Sequence, residues 1–335
     1  MKRDVRIINI PALLLLVLTI TLVAQNEPVF RVNVPLVSLD VGVLDSAGRP
    51  ITNLTAEDFT VYDKGQQSEV KNFAPIETPY HMLALFDCTG STREAWPFLL
   101  KSLNGFVSSL RPQDRIAVLA FGAGTSVVLN WTSRSTEPLN VQMKMPSPLC
   151  DRTDFYGALG SAASRMRDIS GRKGVIVFTD GVHGGIPRQA VRIGGVTHAR
   201  FVDSSEDAAF QIVRREIERG DTVFYFIAVN TDLHPSDVDA GDLAPGTAYT
   251  PLSLYNLQQV RSRMEQIAHV SGGRIVFSQR TSDTGVLFEQ IVRDLGTSYS
   301  FGITPAPPDG SYHRIEVRVR GGMQIRQSRD GYYAR

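Results

Sequence analysis

The stretch H-M-L-A-L-F-D-C-T-G-S-T, residues 81–92, ends an apolar run in a carboxylate and then sets side-chain hydroxyls two residues apart, giving Asp87, Thr89 and Ser91. Three oxygen donors from alternate residues of one loop make part of the ligand set of a hard divalent cation such as Mg²⁺.

Each of these residues also has a plainer reading. Ser91 with Glu94 three positions on spells a capping box. Thr153 and Asp154 stand where a helix N-cap belongs, and Asp180-Gly181 reads as a turn. Asp151 reads as a polar loop residue. His183, His234 and the acidic stretch 234–242 fit no second metal-ligand spacing and read as solvated loop.

The elements that must position these donors are strands alternating with helices from Pro79 onward. Strands are expected over 81–87, 114–121, 173–180, 222–229 and 274–278, with a hairpin-like strand at 126–131. Helices are expected over 94–110, 156–169, 206–220, 256–273 and 283–295. Short apolar strands between helices of that length predict an α/β fold, a doubly wound, mostly parallel sheet with helices on both faces. Two insertions, 181–205 and 230–255, follow strands and are expected to rim the ligand end, where open α/β sheets bind.

The flanks read as β structure. Residues 28–76 alternate apolar and polar side chains between Gly and Pro turns, and 298–335 alternate again. A few strands cannot bury a face alone, so the two segments are expected to pair into a small β-sandwich-like domain with the α/β unit, 79–297, inserted between them.

The first 24 residues have a basic start, an apolar run and Ala24 at a signal-peptidase position, and read as a cleaved secretory signal, the alternative being an uncleaved N-terminal anchor. No later segment is long enough and apolar enough for a membrane span. The expected location is secreted, periplasmic or in the cell envelope. Loss of Lys2, Arg3 and Arg6 against Asp4 takes the net charge from +1 to −1. With no basic stripe, nucleic acid is not an expected partner.

The spacing Asp87, Thr89, Ser91 resembles the D-x-[ST]-x-S loop of the metal-ion-dependent adhesion site (MIDAS) in the von Willebrand factor type A (VWA) family. R-T-D-F-Y-G-A-L resembles that family's second loop, giving Thr153, and V-I-V-F-T-D-G its third, giving Asp180, in the family's order; three separate loops at the same end of one sheet, each with the oxygen donor the resemblance implies, favour the metal over the plainer readings. The flanks G-R-P-I-T-N-L-T-A-E-D-F-T-V-Y-D and R-D-G-Y-Y-A-R are similar to secreted bacterial VWFA-related proteins of the Acidobacterial type. The resemblance implies a Rossmann-like VWA domain in which Asp87, Thr89, Ser91, Thr153 and Asp180 hold Mg²⁺ or Mn²⁺, some through water. It also implies a protein partner whose acidic residue fills the open coordination position, and an adhesion or assembly role. If the fold holds, Cys88 and Cys150 flank the first and second loops, and a disulfide between them is expected across the rim of the site.

Two alternatives stand beside that reading: a structural envelope protein with a vestigial site, and a haloacid-dehalogenase-like phosphotransferase. The latter needs a second carboxylate two residues after the first, as general acid. Thr89 stands there instead. No G-x-S-x-G, Walker A or H-E-x-x-H motif occurs, so no catalytic residue is expected, and F-G-A-G-T-S (121–126) reads as a hairpin turn.

Overall fold

The computed structural model describes residues 36–133, 149–229, 251–278 and 280–334. The signal-like segment and residues 230–250, with His234 and the acidic stretch, lie outside the described residues.

The α/β part is built on a sheet of six strands: β5 (Tyr80–Asp87), β6 (Arg115–Phe121), β7 (Thr125–Thr132), β8 (Arg172–Thr179), β11 (Val223–Val229) and β12 (Ile275–Ser278). Their order is β12-β11-β8-β5-β6-β7. All neighbours are parallel except β7, an antiparallel edge strand on β6. The helices are α1 (Trp96–Ser109), α2 (Phe155–Met166), α3 (Ala208–Arg219), α4 (Pro251–Ser271) and α5 (Thr284–Gly296).

Strand β5 is buried on both faces, and its alternation divides the core. Leu83 and Leu85 join Phe155, Leu159, Phe210, Ile217 and Met264 from α2, α3 and α4. Met82, Ala84 and Phe86 join Leu99, Leu103, Phe288 and Ile291 from α1 and α5. Helices therefore cover both faces of the sheet, the doubly wound arrangement in which central strands read as unbroken apolar runs.

Two details differ from expectation. Helix α4 begins at Pro251, so the second insertion ends inside a helix. The first insertion is not all loop. It holds a two-stranded ribbon of β9 (Arg188–Ile193) and β10 (Val196–Phe201).

The flanking segments form two four-stranded sheets. Strands β1 (Val37–Leu44), β2 (Phe59–Asp63), β3 (Gln66–Ser68) and β4 (Val70–Ala74) come before the α/β part, while β13 (Ser298–Ile303), β14 (Tyr312–Val319), β15 (Gln324–Gln327) and β16 (Gly331–Tyr333) come after it. One sheet has the order β15-β1-β13-β4 and the other β16-β14-β2-β3. Antiparallel pairing joins β13 to both β1 and β4, and β14 to β2. Between the sheets lies a core of Leu39, Val41, Val43, Val61, Ile303 and Ile315, with Phe59 packed 5.1 Å from the Tyr299 ring and 4.9 Å from that of Phe301.

Polar side chains join this sandwich to the α/β part. Asp40, on the face of β1 turned from the core, accepts from Tyr225 Oη at 2.7 Å and from Ser300 Oγ at 2.5 Å. Two buried arginines act as struts. Arg172 donates to the carbonyls of Ile76 and Leu295, and Arg329 to those of Ser38, His269 and Val270. Leu295, His269 and Val270 sit in the last turns of α5 and α4, where unpaired carbonyls and the negative end of the helix dipole favour a cation.

Candidate functional site

Strand order fixes where a crevice must lie. After β5 the chain moves to β6 on one side, and later returns to β8 on the other. The strand ends of β5 and β8 therefore flank the point where the winding reverses, the usual binding position in open α/β sheets. Asp87 is the last residue of β5 and Asp180 follows the last residue of β8.

Asp87 is fully buried, while Thr89 and Asp180 are 8% and 7% exposed. The Asp87 carboxylate gathers neutral donors. Oδ1 accepts from Thr89 N at 3.0 Å and Thr89 Oγ1 at 2.7 Å, and Oδ2 accepts from Thr179 Oγ1 at 2.8 Å. Its backbone carbonyl accepts from Thr92 Oγ1 at 2.8 Å and from the Trp96 indole at 2.9 Å. These bonds pin the β5 loop where the strand gives way to a short 3-10 turn, Gly90–Ala95. Thr89 is the N-cap of that turn, so Ser91 lies one turn ahead of α1 rather than at its head.

Burial, and then the neighbouring charge of Asp180, push the Asp87 carboxyl up to about 6, against the bonds from Thr89 and Thr179 that favour its ionised form. Two buried carboxylates thus stand close enough for each to feel the other's charge. Asp180 also accepts from Val182 N at 2.9 Å, closing a turn through Gly181. Gly181 has φ +72°, and a Cβ there would sit 2.8 Å from Met264 Sδ, so both backbone and packing call for glycine.

The second loop is held by backbone bonds. Asp154 N donates to the Gly122 carbonyl at 2.6 Å and Ala123 N to that of Leu149 at 2.6 Å. A Cβ on Gly122 would lie 1.9 Å from the Leu149 oxygen. The glycines of F-G-A-G therefore make room for the second loop as well as turning between β6 and β7. Gly184 N donates to the Thr153 carbonyl at 3.0 Å, and Cys88 N to that of Phe121 at 2.9 Å. A disulfide joins Cys88 to Cys150, with Cα atoms 5.2 Å apart. The β5, β6 and β8 ends and the segment 149–154 are thereby laced together, which brings Thr153 to the same rim as Asp87 and Asp180. Asp154, not Thr153, caps α2, accepting from Gly157 N at 3.0 Å.

Beneath the rim lies a buried polar network that the sequence reading missed. His183 Nδ1 is 3.1 Å from the Thr153 carbonyl and 3.2 Å from Phe155 N, so its tautomer decides which of the two it serves. Burial lowers the His183 pKa, keeping the ring neutral. The ring packs 4.0 Å from that of Tyr156. Tyr156 Oη donates to Asp207 Oδ2 at 2.8 Å and accepts from Arg263 Nε at 2.8 Å, and Arg263 pairs with Asp207 at 3.1 Å. Asp207 also caps α3 through Phe210 N. Thr179 had a visible signal, a hydroxyl inside an otherwise apolar run; buried polar groups need partners, so such a residue points to one.

Among the described residues, no three His, Cys, Asp or Glu side chains cluster as a metal site of those residues would require. The gathered donors are instead two carboxylates and hydroxyls.

With that geometry in place, the class follows. Residues 82–183, from β5 to just past Asp180, match the family model of the von Willebrand factor type A domain, and the chain carries a VWA domain. Domains of this class are generally protein-interaction or adhesion modules rather than enzymes. Among solved structures, the chain is similar to the conserved hypothetical protein BatB from Bacteroides thetaiotaomicron, with 16% identity over 64% of this chain and 98% of that one and a TM-score of 0.41. It is also similar to the pilus adhesin SpaC from Lactobacillus rhamnosus GG, with 8% identity, coverage of 82% and 47%, and a TM-score of 0.44. A third is a von Willebrand factor type A protein from Catenulispora acidiphila, with 11% identity, coverage of 88% and 73%, and a TM-score of 0.44. No curated protein matches the chain. No helix among the described residues is long and apolar enough to cross a membrane.

Proposed function

We propose that the protein is an exported binding module that recognises an acidic residue of a protein partner through a divalent cation held between the β5 and β8 loops. Asp87, Thr89, Ser91, Thr153 and Asp180 would hold Mg²⁺ or Mn²⁺, directly or through water. The observation that carries this reading is the pair of buried carboxylates, Asp87 and Asp180, at the reversal of the winding. Burying two like charges together is costly unless a cation joins them, and a hard cation prefers oxygen donors of this kind.

Bound there, the ion supplies an electrophilic coordination position. The residues around it do the rest. Thr89 and Thr179 orient the Asp87 carboxylate, the disulfide and the Gly122 carbonyl fix the second loop, and the Gly181 turn aims Asp180. Export is supported by the signal-like first 24 residues and by the disulfide, which suits an oxidising compartment.

One observation favours a second reading, a structural protein with a vestigial site: both oxygens of Asp87 already hold hydroxyl donors. Calorimetric titration of the full chain with Mg²⁺ and Mn²⁺ separates the two. The binding module takes up one ion and loses it in Asp87→Ala. A wild type that takes up none leaves the structural reading.

A further inference from the structure

The β9–β10 ribbon leaves the site directly, since β9 starts eight residues after Asp180. From Gly181 to Val202 the chain has no acidic residue, while it carries Arg188, Arg192, Arg200 and two histidines. The strand register places Arg188 and Arg192 on one face with the small side chains Ala190, Thr197 and Ala199 and the ring of Phe201. The other face carries Arg200, whose guanidinium lies 4.8 Å from the Tyr255 ring of α4. Asn256 of α4 clasps the ribbon base, accepting from Phe201 N at 2.8 Å and donating to the Ala199 carbonyl at 3.3 Å. The root is therefore fixed on the rim and the tip projects.

Positive charge on an exposed edge often serves only to prevent aggregation. That account does not cover the tip, where Ile193 and Val196 are 53% and 57% exposed. An edge built only to repel neighbours would not display them. Among the described residues β9 pairs with β10 alone, so its outer backbone edge can accept an added strand.

We propose that this ribbon reads the partner: it takes an extended, acidic segment of the same protein whose carboxylate enters the Asp87–Asp180 crevice, with Arg188 and Arg192 pairing to its carboxylates and Ile193 and Val196 covering its apolar positions. The inference rests on the binding reading above and adds the chemistry of the partner. Charge complementarity of this kind sets specificity and speeds encounter.

The test uses the full chain with Mg²⁺ and a fluorescent synthetic peptide alternating aspartate with valine, followed by anisotropy; the control alternates asparagine with valine. Wild type is expected to bind the aspartate peptide and not the control. R188E/R192E is expected to weaken binding by about tenfold or more, and Ile193→Ser with Val196→Ser to weaken it further, while thermal unfolding and Mg²⁺ uptake stay at wild-type values. Unchanged peptide affinity in R188E/R192E, or no peptide binding by wild type, overturns the proposal. Binding that survives chelator yet fails in R188E/R192E supports the ribbon while removing the metal from the function. Binding abolished in Asp87→Ala and intact in R188E/R192E does the reverse.

Discussion

Thr179 donates its hydroxyl to Asp87 Oδ2 at 2.8 Å across the neighbouring strands β8 and β5. The bond joins the two strand ends between which the winding reverses, and it leans toward the charged form of the carboxylate. Thr179→Val keeps the shape and removes the donor. It should raise the Asp87 carboxyl further, cost about 1–3 kcal/mol in urea denaturation, and weaken Mg²⁺ uptake in a calorimetric titration.

The metal-free protein should lose stability as the pH rises through the weakly acidic range. Asp87 ionises near 3.8 when unfolded and at about 6 when folded, so between those values the folded state holds more protons. The contribution of this group is therefore full below about 4 and is lost by about pH 6, an effect of about 3 kcal/mol. Denaturation midpoints in chelator across that range should show the fall. Asp87→Asn should flatten it.

Reducing the Cys88–Cys150 bridge frees the second loop from the first. Its closed loop spans a separation of 62 residues, for which the stabilisation is about 2–5 kcal/mol. Denaturation with and without reductant should differ by that much, and metal affinity should fall in step because the second loop is then held by its backbone bonds alone. Equal midpoints would show that the bridge does not stabilise the fold.

Asp207→Asn leaves the Arg263 guanidinium buried without its counter-charge, although Asn can still cap α3. The expected loss is about 3–5 kcal/mol by chemical denaturation. Replacing both partners, Asp207→Asn with Arg263→Met, should recover part of it. No recovery would show that the two do not act as a pair.

The α/β core was legible in the sequence because its strands are buried on both faces and read as short apolar runs, as in V-I-V-F at Val175–Phe178. Asp87 and Asp180 were legible as strand-end carboxylates because they sit where those runs end. The ribbon was harder to see, since Arg188–Phe201 has its strands mostly exposed and no apolar alternation to mark a buried face. The start of α4 was hidden because Pro251 follows a stretch that already holds Pro245 and Gly246, and so reads as one more loop residue. The Arg263–Asp207–Tyr156 network joins residues from three helices. No local pattern announces such a meeting, although a buried arginine in an amphipathic helix is a reason to look for its acid.

The strands of the sandwich are divided between the two ends of the chain. β1 and β4 must wait for β13, and β2 for β14, with the whole VWA domain made in between. Contacts so distant in sequence form late, because closing the intervening loop costs entropy before any pairing repays it. The inserted domain, with its own core on each side of the sheet, can fold first and so bring Ala74 and Ser300 within pairing distance. During synthesis β1 and β4 then remain without their β13 partner, and β2 has only β3, until the C-terminal strands arrive, and this interval is where the chain is most open to misassembly or capture by a chaperone.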